Sequence, residues 1–409
     1  MTKQVTLSRT LSLPMILLYG LGTTIGAGIY ALVGEIANVA GYFAPMSFLL
    51  ASFTAGFTAI SFAELCSRFP RAAGAALYVK QGFGSERIST LVGLLVILAG
   101  LVSAAALING FVGYLHQFIG VERTLAIVLV TIVLGGIAIW GIAESVAVAS
   151  LITLVEIGGI LLVIAASGKG LATFSANWTE FIPPADIISW SGIYFGAILA
   201  FYAFIGFEDM VDVAEEVKDV KRNLPLAILL TLGITTLLYM LLMVTALLSL
   251  TPTQLADSKA PLALLYEHHT GEKAIVIGFI GMFAIINGAL IQMIMASRVI
   301  YGLSSRGQLP KILSQVYHRT RTPLIATVVV TVIALVLALI GRLGSLAETT
   351  STIMLTIFSL VNLALWRIKR RDPTPSGVKV FPIWIPILGF FISLAFVLIQ
   401  INGFINGLF

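Results

Sequence analysis

The chain has 409 residues, 58% of them hydrophobic and 11% charged, with a formal net charge of +5. A soluble domain carries about 25% charged residues, so a water-surrounded globule is excluded. The basic residues flank apolar segments and form no single patch, which excludes a nucleic-acid surface. One cysteine, Cys66, rules out an intramolecular disulfide and offers no metal cluster.

Apolar runs near 20 residues suit a hydrocarbon core of about 30 Å. In chain order they predict eleven transmembrane helices, at about 10–33, 41–66, 88–117, 124–141, 144–167, 187–213, 224–249, 273–303, 322–341, 346–367 and 381–403. Most connections are short, the longest polar one being 168–186, so residues 1–409 are read as one transmembrane domain. The first run is too long, and lacks the small-residue end, for a cleavable signal peptide. With the N-terminus placed in the cytoplasm, only Arg123, Lys169, Lys259, Lys273 and Arg342 of the 24 Lys and Arg fall outside. That bias predicts a cytoplasmic N-terminus; a multi-pass protein of the plasma membrane (the cell inner membrane), with the lipid bilayer as partner, is expected.

The first span contains GTTIGAGIY, residues 22–30. Glycine costs a helix about 1 kcal/mol relative to alanine, so this cluster needs a reason. One reading is a break: bare amides at Gly22, Gly26 and Gly28, with the hydroxyls of Thr23 and Thr24, suit a carboxylate. The other is close helix packing, since Gly22 and Gly26 form a G-x-x-x-G pair.

The sixth span reads FYAFIGFEDMVDVAEE, residues 201–216. Gly206 lies mid-run, followed by Glu208, Asp209 and Asp212. Each acid inside an apolar helix costs about 2.5–3.5 kcal/mol at the bilayer centre. A break at 203–207 would place Glu208 at the start of a new half-helix, where an acid is favourable, and Glu208 is expected to be buried there. Asp212, Glu215 and Glu216 are expected in cytoplasmic water. Breaks in spans one and six, five helices apart, predict two five-helix repeats of inverted topology, at about 10–167 and 187–367, with an extra helix at about 381–403.

These stretches carry a resemblance. GTTIGAGIY resembles the G-x-x-I-G-x-G-I-[FY] motif on the first helix of amino acid–polyamine–organocation (APC) transporters. FAEL with Pro70 and Gly74, FYAFIGFEDM with AEEVKDVKRNLPLAI, and ASRVIYGLSSRGQLPK with Thr322-Pro323 resemble later motifs in family order. The subgroup resembled is that of prokaryotic permeases related to cationic amino acid transporters. The resemblance implies an all-α, LeuT-type fold with discontinuous helices one and six, and amino acid transport by alternating access. It implies a substrate carboxylate on the amides of Ile25, Gly26, Ala27 and Gly28, near Thr23 or Thr24. It also implies a substrate amino group on the carbonyls of Tyr202, Ala203 and Ile205, with Phe204 and Phe207 walling the pocket or simply packing. Two features depart from the family: many members have twelve helices, and a fifth-helix lysine is replaced here by Glu156 in LITLVEIGG.

Glu156 lies mid-span with Thr153 and Gly159 on its helical face, so that face is expected inside the bundle. It is a candidate proton carrier, a cation ligand, or a structural acid; Glu208 is the second coupling candidate. Asn109, Asn287 and Gln292 either tune the pocket or join helices, and joining is the expected role. Ser103, Ala106, Gly110 and Gly113 share a face that permits close approach of span three to span one. Glu64 is expected to pair with Arg68 at i,i+4.

The leading reading is a proton-coupled amino acid symporter. The alternatives are an amino acid or amine exchanger, and a sensor that binds amino acids without moving them. No P-loop, metal-ligand cluster or nucleophile–base pair is visible, so no ATP drive, cofactor, metal or enzyme activity is expected.

Overall fold

Backbone groups in hydrocarbon need partners within the chain, and a helix supplies them locally. The computed structural model describes residues 9–71, 74–116, 118–140, 146–171, 174–317, 320 and 322–405. Among these are eleven long helices: α1 (Leu13–Ala40), α2 (Ala44–Arg68), α3 (Glu86–Leu115), α4 (Arg123–Trp140), α5 (Val146–Ala166), α6 (Ile187–Tyr202), α7 (Val220–Ser249), α8 (Ile275–Ser305), α9 (Leu324–Ile340), α10 (Leu343–Arg371) and α11 (Trp384–Ile405). Eight segments are long and apolar enough to cross a membrane, one of them joining the end of α1 to α2. Leu13–Gly26 within α1, Ser150–Ala166 within α5 and Leu324–Ile340 are shorter apolar stretches. The chain is an all-α, multi-pass membrane protein.

Helix starts follow local chemistry. Proline stands in the first turns of α1 and α2, where its missing N–H is not needed. Asp186 caps α6 by accepting from the Ser189 N–H at 2.9 Å. The hydrogen bonds from Ser189 hold the Asp186 carboxyl below the usual carboxylate range. His268 and His269 occupy the last turn of the helix Pro261–Thr270.

The central helix is α1, which packs against α5, α6, α7 and α8. It runs unbroken through Gly22–Gly28, which corrects the expected discontinuity of helix one. The glycines serve close approach instead. A Cβ on Gly22 would collide with Thr153 Oγ1 on α5, and one on Gly28 would lie 2.7 Å from Ala203 Cα. Along the same helix, a Cβ on Gly110 of α3 would come within 3.2 Å of Ala31 Cβ, the approach expected of that face.

The sixth helix is broken. After Tyr202 the chain turns through 203–206 and resumes as a 3-10 helix, Phe207–Glu216. Gly206 has φ 126°, and a Cβ there would collide with Thr23 O; both facts require glycine. Downstream, Leu11 pairs with the exit of this segment: its N–H donates to Glu216 O at 2.9 Å, and its carbonyl accepts from Lys218 N at 2.9 Å.

One buried ionic cluster fastens α2 to α10. Glu64 is fully buried and accepts from Arg68 Nη2 at 2.7 Å, as the i,i+4 spacing implied. It also accepts from Lys369 Nζ at 2.8 and 2.7 Å and from the Phe381 N–H at 2.9 Å. Lys369 is 4% exposed and donates its third bond to Phe381 O at 2.6 Å. Every charge in the cluster therefore has a partner. Beside it, buried Asn362 donates to Thr58 Oγ1 at 2.8 Å and accepts from Ser61 Oγ at 2.6 Å.

Glu64→Ala leaves Lys369 and Arg68 uncompensated and is expected to cost about 3–5 kcal/mol, read as a large drop in the thermal midpoint of detergent-purified protein. Asp372→Ala, at the exposed edge of the cluster, should cost less than about 1 kcal/mol; equal effects would refute this account. Gly206→Ala, forced into a left-handed conformation at a cost of about 1–3 kcal/mol before any clash, should sharply lower the yield of folded protein, whereas Gly233→Ala on α7, with open space around it, should not.

Candidate functional site

The break in α6 frees backbone groups that need partners, and side chains from three elements supply them. The Gly206 N–H donates to Glu208 Oε2 at 2.9 Å. Gly206 O accepts from Thr23 Oγ1 at 3.0 Å and from the Asp209 N–H at 3.1 Å. Tyr239 on α7 donates to Ala203 O at 3.0 Å and lies 2.9 Å from Thr24 O. The break is therefore fastened to α1 and α7, and Glu208 sits at the start of the new half-helix as its spacing implied.

A small cavity of about 50 Å³ lies between α1, α3, α5, α6 and α8. Of the expected site residues it brings together Thr23, Thr24, Gly26, Gly28, Tyr202 and Ile205, with Glu156 on α5. Glu156 is 2% exposed, and both its carboxylate oxygens lie 3.7 Å from where a Gly26 Cβ would be. Tyr30 donates to the Glu156 carbonyl at 2.6 Å, and Tyr114 donates to Tyr30 O at 2.9 Å, which fixes α5 and α3 against α1. Tyr202 is hydrogen-bonded to Ser103 across α6 and α3 at 2.8 Å.

Other expected residues lie elsewhere. Ile25 and Ala203 are fully buried in the core and do not line the cavity. Phe204 packs on Tyr239, with ring centroids 5.3 Å apart, and Phe207 packs on Phe62 at 6.0 Å and Phe358 at 5.5 Å. The side chain of Ala27 is outside the described residues. In a continuous α1, the amides of Ile25–Gly28 are engaged in the helix.

Two of the residues expected to join helices, with tuning the pocket as the alternative, reach the cavity. Asn287 and Gln292 on α8 line it, as does Asp209. Their signal was a polar group in an apolar run, but the period alone did not say which face met the cavity. Asn109 does join helices, donating to Ala338 O on α9 at 3.0 Å. None of the residues lining this small cavity is Lys, Arg or His, and two are acids, Glu156 and Asp209.

A second cavity of about 410 Å³ adjoins the first. Ser103, Ile205, Asp209 and Gln292 line both and form the partition between them. Glu208 and Asp212 face the larger cavity; Asp212 is half-buried there, not out in solvent, because the helix Gly74–Phe83 covers it and a Gly74 Cβ would lie 3.1 Å from its Oδ1. On the far side of the small cavity, α1 packs against the helices Pro252–Asp257 and Pro261–Thr270, where a Gly34 Cβ would lie 2.5 Å from Leu255 O and 3.2 Å from Pro261 Cγ.

Comparison with known proteins agrees with this architecture. Cationic amino acid transporter 2, vacuolar, of Arabidopsis thaliana is 29% identical over 399 residues, covering 91% of this chain and 62% of the relative. Branched-chain amino acid permease BcaP of Bacillus subtilis (strain 168) is 26% identical, covering 89% of this chain and 83% of the relative. Methylthioribose transporter of the same organism is 26% identical, covering 91% and 84%. The chain spans 62% and 65% of the length of two of the plant transporters it matches. The family model described as amino acid permease matches residues 11–408, and the chain therefore belongs to the amino acid permease family, within the APC superfamily.

Proposed function

We propose that this chain is a secondary transporter of amino acids that works by alternating access. The observation that carries this reading is the pair of adjoining cavities. A small acid-lined chamber at a broken helix meets a large vestibule at a four-residue partition, while packed helices close its other side. The arrangement suits an inward-facing state of a carrier. The names of the plant and bacterial relatives support amino acids as the substrate class.

On this reading the substrate ammonium sits against Glu156 or Asp209 and the Ile205 carbonyl. Its carboxylate reaches the amides of Ile25–Gly28, beside Thr23 and Thr24, only when that turn of α1 opens. Glu156 carries the coupling proton: it is buried, lines the chamber and faces Gly26. Glu208, tied to the Gly206 N–H, positions the half-helix. On this reading the protein lies in the plasma membrane, and the Lys/Arg bias supports an N-terminus and vestibule towards the cytoplasm.

One observation favours a second reading. Two acids and no basic residue line the chamber, and the α1 amides are engaged, so an amine lacking a carboxylate also fits. That carrier would work by exchange.

Uptake of amino acids into proteoliposomes should rise several-fold with an inward proton gradient, and Glu156→Gln should abolish the gradient's effect while leaving exchange. Gradient-driven uptake by the variant equal to wild type would remove Glu156 from coupling. Uptake of amines but no amino acid would favour the second reading, and binding without flux would make the protein a sensor.

A further inference from the structure

The larger cavity has a chemistry that passage through the small chamber does not require. Its volume of about 410 Å³ lies within the range of about 300–1,000 Å³ usual for small-molecule pockets. Three surfaces meet in it. The segment Phe207–Glu216 contributes the carboxylates of Glu208, Asp209 and Asp212; α8 contributes Arg298, and Arg306, the residue that follows its last turn, adds a second guanidinium. The lining also includes the apolar side chains of Met295, Met354 and Phe358. Among the described residues no ion pair joins these acids to these arginines. Both signs of charge are therefore presented to the same space, with apolar surface alongside.

That combination matches one kind of solute. Carboxylates recognise an ammonium, guanidinium groups recognise a carboxylate through paired donors, and flexible methionines accommodate apolar side chains of varied shape. The small chamber lacks the middle element: it offers acids but no basic side chain.

We propose that the larger cavity is a second binding site for a zwitterion, an α-amino acid with an apolar side chain. Its ammonium rests against Asp212, its carboxylate against Arg306 or Arg298, and its side chain along Met295, Met354 and Phe358. The existence of the site rests on the cavity; the choice of an amino acid as its occupant rests on the transport reading above. An occupant there lies against the partition at Asp209 and Gln292 and obstructs release from the chamber, so the site links solute concentration on the vestibule side to the rate of transport.

Two measurements test the two readings separately. The first is equilibrium binding of radiolabelled L-leucine to the purified full-length chain. Wild type is expected to bind two leucines, and Asp212→Asn or Arg306→Gln should weaken one site about tenfold or more, the scale of one charge-assisted hydrogen bond. The site that persists in each variant shows that the protein is folded, and Lys311→Gln, outside the cavity, should keep both. The second measurement is initial uptake of amino acids into solute-free proteoliposomes, which these variants should leave unchanged. With leucine loaded inside, wild-type uptake should slow several-fold and the variants' should not. A single leucine per wild-type chain, or two sites of unchanged affinity in both variants, would overturn the second site even where uptake is normal. Failure of the wild type to take up any amino acid would overturn the transport reading instead, whatever the leucine stoichiometry.

Discussion

In hydrocarbon an unpartnered backbone group costs several kcal/mol, and the break at 203–206 must meet that constraint at the middle of the bundle. It does so with borrowed groups: a carboxylate from Glu208, a hydroxyl from Thr23 and a phenol from Tyr239. Each lender lies on a different element, so satisfying the break also fixes where α1 and α7 must lie. The glycines of α1 follow from the same geometry. Ala203 presses against Gly28, and the Gly206 backbone against Thr23, and no side chain could occupy either space.

Charge is distributed around this centre with a clear division. The cluster of Glu64, Arg68 and Lys369 has every charge matched and hydrogen-bonded, so its consequence is fixed geometry between α2 and α10. The acids of the two cavities, by contrast, line cavity walls together with polar side chains. A matched buried charge holds parts together, whereas a carboxylate on a cavity wall is disposed to bind a cation or a proton.

The aromatic residues near the break sort by the same logic. Phe204 and Phe207 lie on either side of Gly206, yet each turns into a separate aromatic cluster, one with Phe48 and Tyr239 and one with Phe62 and Phe358. Edge-to-face packing of this kind adds about 0.5–1.5 kcal/mol per pair beyond area burial. Phe201 of α6 also packs on Phe358, at 5.8 Å, so one aromatic cluster touches both sides of the break, and the cavity wall is left to the smaller Ile205 and to Tyr202.

The helix content, the eleven apolar segments and the break at Gly206 were legible in the sequence, because span length, composition and a mid-helix glycine followed by acids are local quantities set by the bilayer. The position of Glu208 at the new helix start was legible for the same reason. Whether Gly22–Gly28 marks a gap or a close contact was not, since both demand glycine; only the placement of Thr153 and Ala203 against α1 decided it. Lys369 as partner to Glu64, Asn287 and Gln292 on the chamber wall, and Asp212 facing the larger cavity were likewise decided by tertiary structure. Those pairings join residues far apart in the chain, and helical periodicity fixes which side chains share a face without fixing what that face meets.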